Sequence, residues 1–366
     1  MISPESRSRE WLFSVCDRFN TPDAALVDKV IRAFSLLEAL ARSGCPFIFK
    51  GGSCLMLHFN TEKRLSIDID IICPPGTRIE DYWDKYVTEY GFSKPEPLHR
   101  ESRTNVPKEH AKFNYQVAYS DSKPDSILLD VLLEDSPYEK LEEKPIVSPL
   151  LKTEGENILV RVPSKIDMLA DKLTAYAPNT TGIPFVKKNA KGQVKICSLE
   201  IAKQMFDVAS LFDAVDDLND VLEIYKKIAA VELDYRKMTG VDYKEVLRDS
   251  INTSLCLGTR GATDKEKFAL LTDGISKLRG YIYNDKYSVD RAITDSAKVA
   301  YLAACLQKGQ FAPSKYHMGM VDAAKKAEID SSLDTDLAKW TKLNKLKKSN
   351  IEAFYYWFRA FELLKN

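Results

Sequence analysis

The sequence predicts an α+β protein in two parts, a mixed sheet flanked by helices over residues 1–214 and an all-helical bundle over residues 215–366. Short apolar or alternating stretches, typical of strands, occur among helical stretches up to about residue 198. Beyond that point the apolar residues recur only at helical spacing. A length of 366 residues suits two domains.

The elements of the first part follow from its apolar pattern. A helix is predicted from Asp23 to Arg42, and Gly44 ends it. We expect Ser53 to cap a second helix, because its hydroxyl can accept a bond from a backbone amide. The other predictions here are strands at 45–49, 65–73, 112–119, 126–133 and 157–162, helices at 54–59 and 79–90, and a helix that follows Ser164 and runs through Tyr176.

The second part is predicted to be helical throughout. Its aromatic stretch Phe354–Phe358 is expected to pack in a helical core, because clustered aromatic rings bury large areas. The predicted helices of this region are 199–213, 216–229, 241–256, 264–281, 288–306, 317–328 and 350–364.

Composition limits the class of protein. The 53 basic and 53 acidic residues cancel, which argues against a protein that binds nucleic acid through bulk charge. The seven cysteines are dispersed and form no C-x-x-C pair, so reduced thiols are expected. The N-terminus lacks the apolar core of a signal peptide, and no apolar run reaches the roughly 20 residues of a membrane span. A cytoplasmic protein with no membrane partner is expected.

The most informative motif is Lys50-Gly-Gly-Ser53, followed by Asp68-Ile-Asp70. Glycines let a backbone approach a ligand closely, and a helix that starts at the serine favours phosphate. On a strand, Ser66, Asp68 and Asp70 share one face, where paired carboxylates suit Mg²⁺ or Mn²⁺. A phosphate-binding turn followed by two acids is typical of nucleotidyl transfer. The alternative is an edge strand whose acids are only solvated.

A third carboxylate is expected on a neighbouring strand. Asp130 lies inside the apolar run Ile127–Leu133, where an acid is costly unless it is paired or binds a metal. The alternative is an acid at a strand end that reaches solvent. The four histidines (His58, His99, His110 and His317) show no metal-ligand spacing, and no role is predicted for them.

Lys50-Gly-Gly-Ser53 and Arg64-Leu-Ser-Ile-Asp-Ile-Asp70 together resemble the leading motif of the AbiEii/AbiGii toxin family. These are nucleotidyltransferase-like proteins of the polymerase-beta superfamily, and they include the MenT toxins. Downstream, Ala170–Ala175 resembles the family's E-K-L-x-A helix, with Asp171 where glutamate is usual. Lys203–Asp207 resembles its closing helix motif. The resemblance spans about residues 25–215 and leaves out the helical remainder.

The resemblance implies a nucleotidyltransferase-like fold and a role for each matched residue. Asp68 and Asp70 would bind Mg²⁺ or Mn²⁺, with Asp130 added from the strand argument. Lys172 would contact the triphosphate or support catalysis, and Asp207 would complete the site. By themselves, Lys172 and Asp207 could also be ordinary residues of a helix surface. The NTP would be held by the turn and the arginine–serine motif, namely Lys50, Gly51, Gly52, Ser53, Arg64 and Ser66.

The acceptor of the transferred nucleotide is less defined by the sequence. Two acid-free runs could contact RNA phosphates. One contains Lys187, Lys188, Lys191 and Lys195, and the other extends from Lys339 to Lys348. Either run could equally be a solvated surface. The hypothesis is a metal-dependent nucleotidyltransferase that acts on RNA such as tRNA, as the toxin of a toxin–antitoxin or abortive-infection system with a cognate antitoxin. The alternatives are transfer to a small-molecule or protein hydroxyl, and a non-catalytic nucleotide-binding scaffold.

Overall fold

A computed structural model describes the chain over residues 1–21, 23–61, 63–93, 95–97, 108–121, 123–188, 192–283, 286–330 and 338–365. The chain packs into two compact units. The first comprises 1–164 and 280–286, and the second comprises 165–279 and 287–366. The segment 280–286 joins the first unit because the Leu65 amide donates to the Tyr281 carbonyl at 2.8 Å. The predicted limit of the catalytic domain after residue 214 stays a prediction.

The first unit is built on a mixed sheet with the strand order β1-β2-β5-β4-β3. Strands β2 and β5 run parallel, and the other neighbours are antiparallel. Strands β6 and β7 form a separate antiparallel pair. The elements are α1 (Arg9–Arg18), α2 (Ala24–Arg42), β1 (Ile48–Lys50), α3 (Gly51–His58), β2 (Ile69–Cys73), α4 (Glu80–Trp83), β3 (Glu96–Pro97), β4 (Lys108–Gln116), β5 (Pro124–Leu133), β6 (Leu141–Pro145) and β7 (Leu159–Pro163).

The two faces of this sheet differ in burial. Along β5, Ile127, Leu129 and Val131 are at most 1% exposed, whereas the alternate residues are half-buried. Strand β4 repeats the pattern, with Phe113 buried and its neighbours half-buried. Because side chains alternate along a strand, one face forms the core and the other is partly open. Asp70 of the predicted motif lies on the open face, in register with Asp130.

The predicted fold class is confirmed, and several local predictions are wrong. Helix α3 begins at Gly51 with Lys50 as its N-cap, so Ser53 lies in the first turn and does not cap it. The helix predicted at 79–90 is a single turn, Glu80–Trp83. Strand β4 begins at Lys108, four residues before the predicted start. Polar residues such as Glu109 and His110, both half-buried, obscured the apolar alternation at that start.

Among its described residues, the regular elements of the second unit are helices and one hairpin, formed by β8 (Val186–Lys188) and β9 (Val194–Ile196). The aromatic stretch is core as predicted, since Phe354 and Trp357 are 0% exposed. The predicted helix at 317–328 is shorter than expected. The helices are α5 (Lys165–Ala175), α6 (Ser198–Ala214), α7 (Asn219–Tyr235), α8 (Tyr243–Gly258), α9 (Lys265–Leu278), α10 (Val289–Lys308), α11 (Val321–Lys326), α12 (Leu346–Ser349) and α13 (Ile351–Leu364).

All seven cysteines are buried and none forms a disulfide, as the dispersed spacing predicts. Within the described residues, no helix combines the length and apolar character that a membrane span requires.

Candidate functional site

The open face of the sheet carries a row of four polar side chains from four adjacent strands. Lys50 of β1 pairs in register with Asp70 of β2, and Asp70 pairs with Asp130 of β5. Asp130 in turn pairs with His110 of β4. Residues in register on neighbouring strands share a face and lie about 5 Å apart. The row therefore brings two predicted carboxylates side by side, with a basic residue at each end.

Asp130 is held by a partner that the sequence did not reveal. Nδ1 of His110 lies 2.6 Å from Oδ1 of Asp130, and the two side chains are 14% and 40% exposed. Because a carboxylate only accepts, the histidine donates this bond. The alternative of a merely solvated strand-end acid is wrong, since Asp130 lies within β5 and is hydrogen-bonded.

Gly51 brings the start of α3 against the Asp70 carboxylate. Its φ is +81°, a left-handed conformation that favours glycine. A Cβ at this position would overlap Oδ2 of Asp70. The turn therefore needs glycine both for its backbone angle and for the space that the acid occupies.

Gly52 is similarly covered by two of the predicted nucleotide-binding residues. A Cβ there would lie 2.7 Å from Nη2 of Arg64 and 2.7 Å from Oγ of Ser66. Both side chains belong to buried residues, Arg64 at 5% and Ser66 at 8% exposure. Arg64 is oriented in part by a 3.1 Å bond from Nη1 to the Leu65 carbonyl. A guanidinium is thus fixed beside the first turn of α3.

Ser53 connects the first turn of α3 to the acidic motif. Its hydroxyl donates a 2.5 Å bond to the Asp68 carbonyl. Asp68 immediately precedes β2 and is exposed, whereas Asp70 is half-buried within the strand. The predicted strand face shared by Ser66, Asp68 and Asp70 is therefore wrong in detail, because β2 begins only at Ile69.

Lys172 and Asp207 form an ion pair between α5 and α6 in the second unit. Nζ of Lys172 lies 3.2 Å from Oδ2 of Asp207, with side-chain exposures of 7% and 3%. The alternative readings as surface residues are therefore wrong for both. Buried charges are retained where they are paired, and this pair meets that requirement.

The donors of the first-unit site have the chemistry of a Mg²⁺ or Mn²⁺ site. Asp70 and Asp130 are neighbours in register, and carboxylate oxygens are the preferred ligands of these ions. Among the described residues, no group of three or more His, Cys, Asp or Glu side chains is arranged to hold a metal. Two adjacent carboxylates with Asp68 nearby in sequence fit such an ion by donor type alone.

His110 is the residue of this site that sequence reasoning missed. The predicted strand began at residue 112, which left His110 outside the sheet. The signal was the alternation in Lys108–Gln116, which puts His110 on the polar face that also carries Lys112. Only pairing with β5 reveals its acidic neighbour.

The comparisons with known proteins concern the family of this chain. A family model described as "Nucleotidyl transferase AbiEii toxin, Type IV TA system" matches residues 35–273. The match continues past residue 215, so the expectation that the family pattern stops there is wrong. A crystal structure assigned as a nucleotidyltransferase from H. pylori is 11% identical, with a TM-score of 0.43, and the match covers 79% of this chain and 97% of that chain. No curated protein matches the chain.

The family match includes every predicted site residue from Lys50 to Asp207. It supports an enzyme rather than a scaffold. Since the matched region exceeds half of the 366 residues, the chain belongs to the AbiEii toxin family of type IV toxin–antitoxin systems and is a nucleotidyltransferase.

Proposed function

We propose that this nucleotidyltransferase moves a nucleoside monophosphate from an NTP to a hydroxyl of an RNA such as tRNA, with Mg²⁺ or Mn²⁺ as its cofactor. The observation that carries the proposal is the row Lys50–Asp70–Asp130–His110 beside the start of α3. Two adjacent carboxylates repel each other, so a row of this kind is most stable when a cation lies against it.

The start of α3 is the proposed triphosphate site. Its first-turn amides, including those of Gly52 and Ser53, have no partner inside the helix, and the helix dipole favours an anion there. The Ser53 hydroxyl already donates to Asp68, so the amide of Ser53 is the proposed phosphate donor. Arg64 adds a fixed positive charge beside Gly52.

Asp68, Asp70 and Asp130 are the proposed holders of the divalent ion. When bound, such an ion would neutralise phosphate charge and polarise the phosphoryl oxygens. In the transfer, the acceptor oxygen forms a bond to the α-phosphorus while the bond from that phosphorus to the bridging oxygen breaks. Pyrophosphate leaves and the hydroxyl proton passes to water. The roles assigned to Lys172 and Asp207 stay predictions.

An RNA acceptor is supported by exposed lysines in the second unit. Lys187 and Lys188 on β8 are exposed, while Lys195 on β9 pairs with Glu200 at 2.8 Å. Lys191 lies outside the described residues. Lysines contact phosphates as point charges, so this hairpin can add affinity without reading a sequence. Membership in a toxin family further supports a cognate antitoxin that relieves growth arrest.

The test combines purified protein with Mn²⁺ or Mg²⁺, each labelled NTP, and total tRNA. Labelled RNA is the expected product. Asp70→Asn should abolish transfer because it removes one charge of the adjacent carboxylate pair. Asp125→Asn is the matched control. Asp125 lies on β5 of the same sheet, but it pairs with Lys29 at 3.1 Å, away from the row.

Each outcome has a distinct meaning. If Asp70→Asn transferred label as fast as the wild type, the row would not be the active site. Label found on protein or on an added small molecule, and never on RNA, would favour the alternative acceptors. If chelation of divalent ions left transfer unchanged, the proposed cofactor would be wrong.

A further inference from the structure

The second acid-free run folds into an unusual helix. Residues Ala338–Lys345 form a 3-10 helix of 8 residues, which continues into α12. Such helices rarely exceed three or four residues. Because a 3-10 helix has 3.0 residues per turn, side chains at i and i+3 align in straight rows. The run K-W-T-K-L-N-K-L-K-K repeats lysine and apolar residues with this period.

The two rows have opposite environments. Trp340, Leu343 and Leu346 form the inner row and are at most 4% exposed. All members of the outer row are exposed, and we call them the lysine ridge: Lys339, Lys342, Lys345 and Lys348. A rise of about 2.0 Å per residue sets the first three of these lysines about 6 Å apart along the axis.

The ridge is anchored firmly on its inner side. The Trp340 ring packs edge-on against Trp357 with centroids 5.3 Å apart. Asn344 bonds both backbone groups of Ile329, accepting from its amide at 3.0 Å and donating to its carbonyl at 2.9 Å. The backbone that carries the lysines is therefore ordered before any ligand binds, which lowers the entropy lost on binding.

No ion pair to a ridge lysine occurs within the described residues. Lys347, between the rows, differs because it pairs with Glu328. The run from Lys339 to Lys348 contains no acid. Four like charges in line repel one another, so the ridge gains most from a linear polyanion whose charges repeat at short intervals.

We infer that the lysine ridge is a binding surface for the phosphate backbone of RNA. This inference rests on the proposed RNA acceptor and assigns part of its recognition to the second unit. A membrane surface fits less well, because the ridge helix buries its apolar residues and offers none for insertion. An acidic protein also fits less well, since protein interfaces centre on buried aromatic or apolar anchors, and here these face inward.

The experiment measures binding of fluorescently labelled single-stranded RNA by anisotropy, without NTP, between about 50 and about 200 mM salt. The variant replaces all four ridge lysines by glutamine. If each contacts one phosphate, the slope of log K against log salt falls by about 3, since each contact contributes about 0.7. Between those two salt concentrations, the four ridge contacts together account for about a 50-fold change in RNA affinity. The double variant Lys339→Gln/Lys342→Gln should show half of the slope change of the four-lysine variant.

Two controls separate ridge geometry from total charge. Lys347→Gln removes a lysine of the same run that is turned towards Glu328, and the slope should not change. A charge-matched variant replaces four exposed lysines on four other helices by glutamine, namely Lys244, Lys265, Lys308 and Lys325, and should retain most of the wild-type slope. Equal losses in the ridge and charge-matched variants would overturn the inference.

The outcome is separable from that of the proposed function. If the ridge variant transferred nucleotide to RNA and kept the wild-type salt slope, RNA binding by the lysine ridge would be contradicted. The proposed RNA acceptor would be unaffected. A ridge-dependent slope in a protein that transfers nothing to RNA would support the ridge and contradict the acceptor. Ridge-dependent binding to phosphatidylserine vesicles with no effect on RNA would assign the surface to membranes and overturn the inference.

Discussion

The imidazole Nδ1 of His110 lies 2.6 Å from Oδ1 of Asp130, in a row that also contains Asp70 and Lys50. Hydrogen bonds of this kind orient carboxylates that hold metals, and their loss typically costs about 10–100-fold in metal affinity or activity. We infer that the histidine acts as a positioning residue for Asp130.

We therefore expect His110→Ala to lower kcat by about 10–100-fold. His110→Asn should recover much of the loss, because the asparagine amide nitrogen can take the place of Nδ1. Mn²⁺ binding followed by electron paramagnetic resonance, in the absence of NTP, should weaken in His110→Ala. Lys112→Ala on the same strand face is the control. Wild-type kcat and Mn²⁺ affinity in His110→Ala would contradict a positioning role.

Gly51→Ala should abolish transfer with only a modest loss of stability. A left-handed φ of +81° costs a non-glycine residue about 1–2 kcal/mol, and the new Cβ would displace the Asp70 carboxylate. Gly76 has the same φ of +81° with no atom within 4 Å of its virtual Cβ, so Gly76→Ala pays only the backbone cost. Chemical denaturation and transfer assays compare the two variants. Equal activity in both would show that Asp70 tolerates displacement.

The Lys172–Asp207 pair should have a large effect on stability. Removing one partner of a buried pair leaves a charge without compensation and costs about 3–5 kcal/mol. Lys172→Met and Asp207→Leu should each lower the free energy of unfolding by that amount. The double variant should be more stable than either single variant, because an apolar pair leaves no buried charge. A double-mutant cycle by chemical denaturation measures this coupling.

The same variants test catalysis separately from stability. If the stable double variant transferred nucleotide normally, the roles predicted for Lys172 and Asp207 would be wrong. A folded double variant without transfer would support them.

Asp295 on α10 should make the stability of the second unit depend on pH. Burial raises the pKa of its carboxyl from 3.8 to about 6, and the Tyr287 hydroxyl donates to it at 2.7 Å. Between these values the unfolded chain loses the proton while the folded chain keeps it. Stability from this group is therefore full below the lower pKa and is lost as pH rises through the higher one.

Asp295→Asn keeps an acceptor for Tyr287 and cannot ionise. It should match the wild type near pH 4 and exceed it by up to about 3 kcal/mol near pH 7, from about two pKa units at 1.36 kcal/mol each. Urea denaturation at several pH values measures the gap. A gap that stayed constant with pH would show that the carboxyl titrates normally.

The sequence by itself determined the fold class and the chemical elements of the site. Alternation in residues 65–73 and the apolar run in residues 126–133 predicted two strands. The spacing of Lys50–Ser53 to Asp68 and Asp70 predicted a phosphate turn with an acidic pair. These features are local, because glycine freedom, capping preference and apolar period act over a few residues. The boundaries predicted from these local signals were wrong at the start of β4 and at the cap of α3, where packing overrides propensity.

Only the tertiary structure decided which of these residues meet. Asp70 and Asp130 are 60 positions apart in sequence and become neighbours because β2 and β5 pair in parallel register. The antiparallel pairing of β4 with β5 brings His110 to Asp130. Lys172 finds Asp207 through the packing of α5 on α6. The 3-10 helix at Ala338–Lys345 places Trp340 and Leu343 in buried positions. Pairing register and burial are properties of distant segments in contact, which no short stretch of sequence contains.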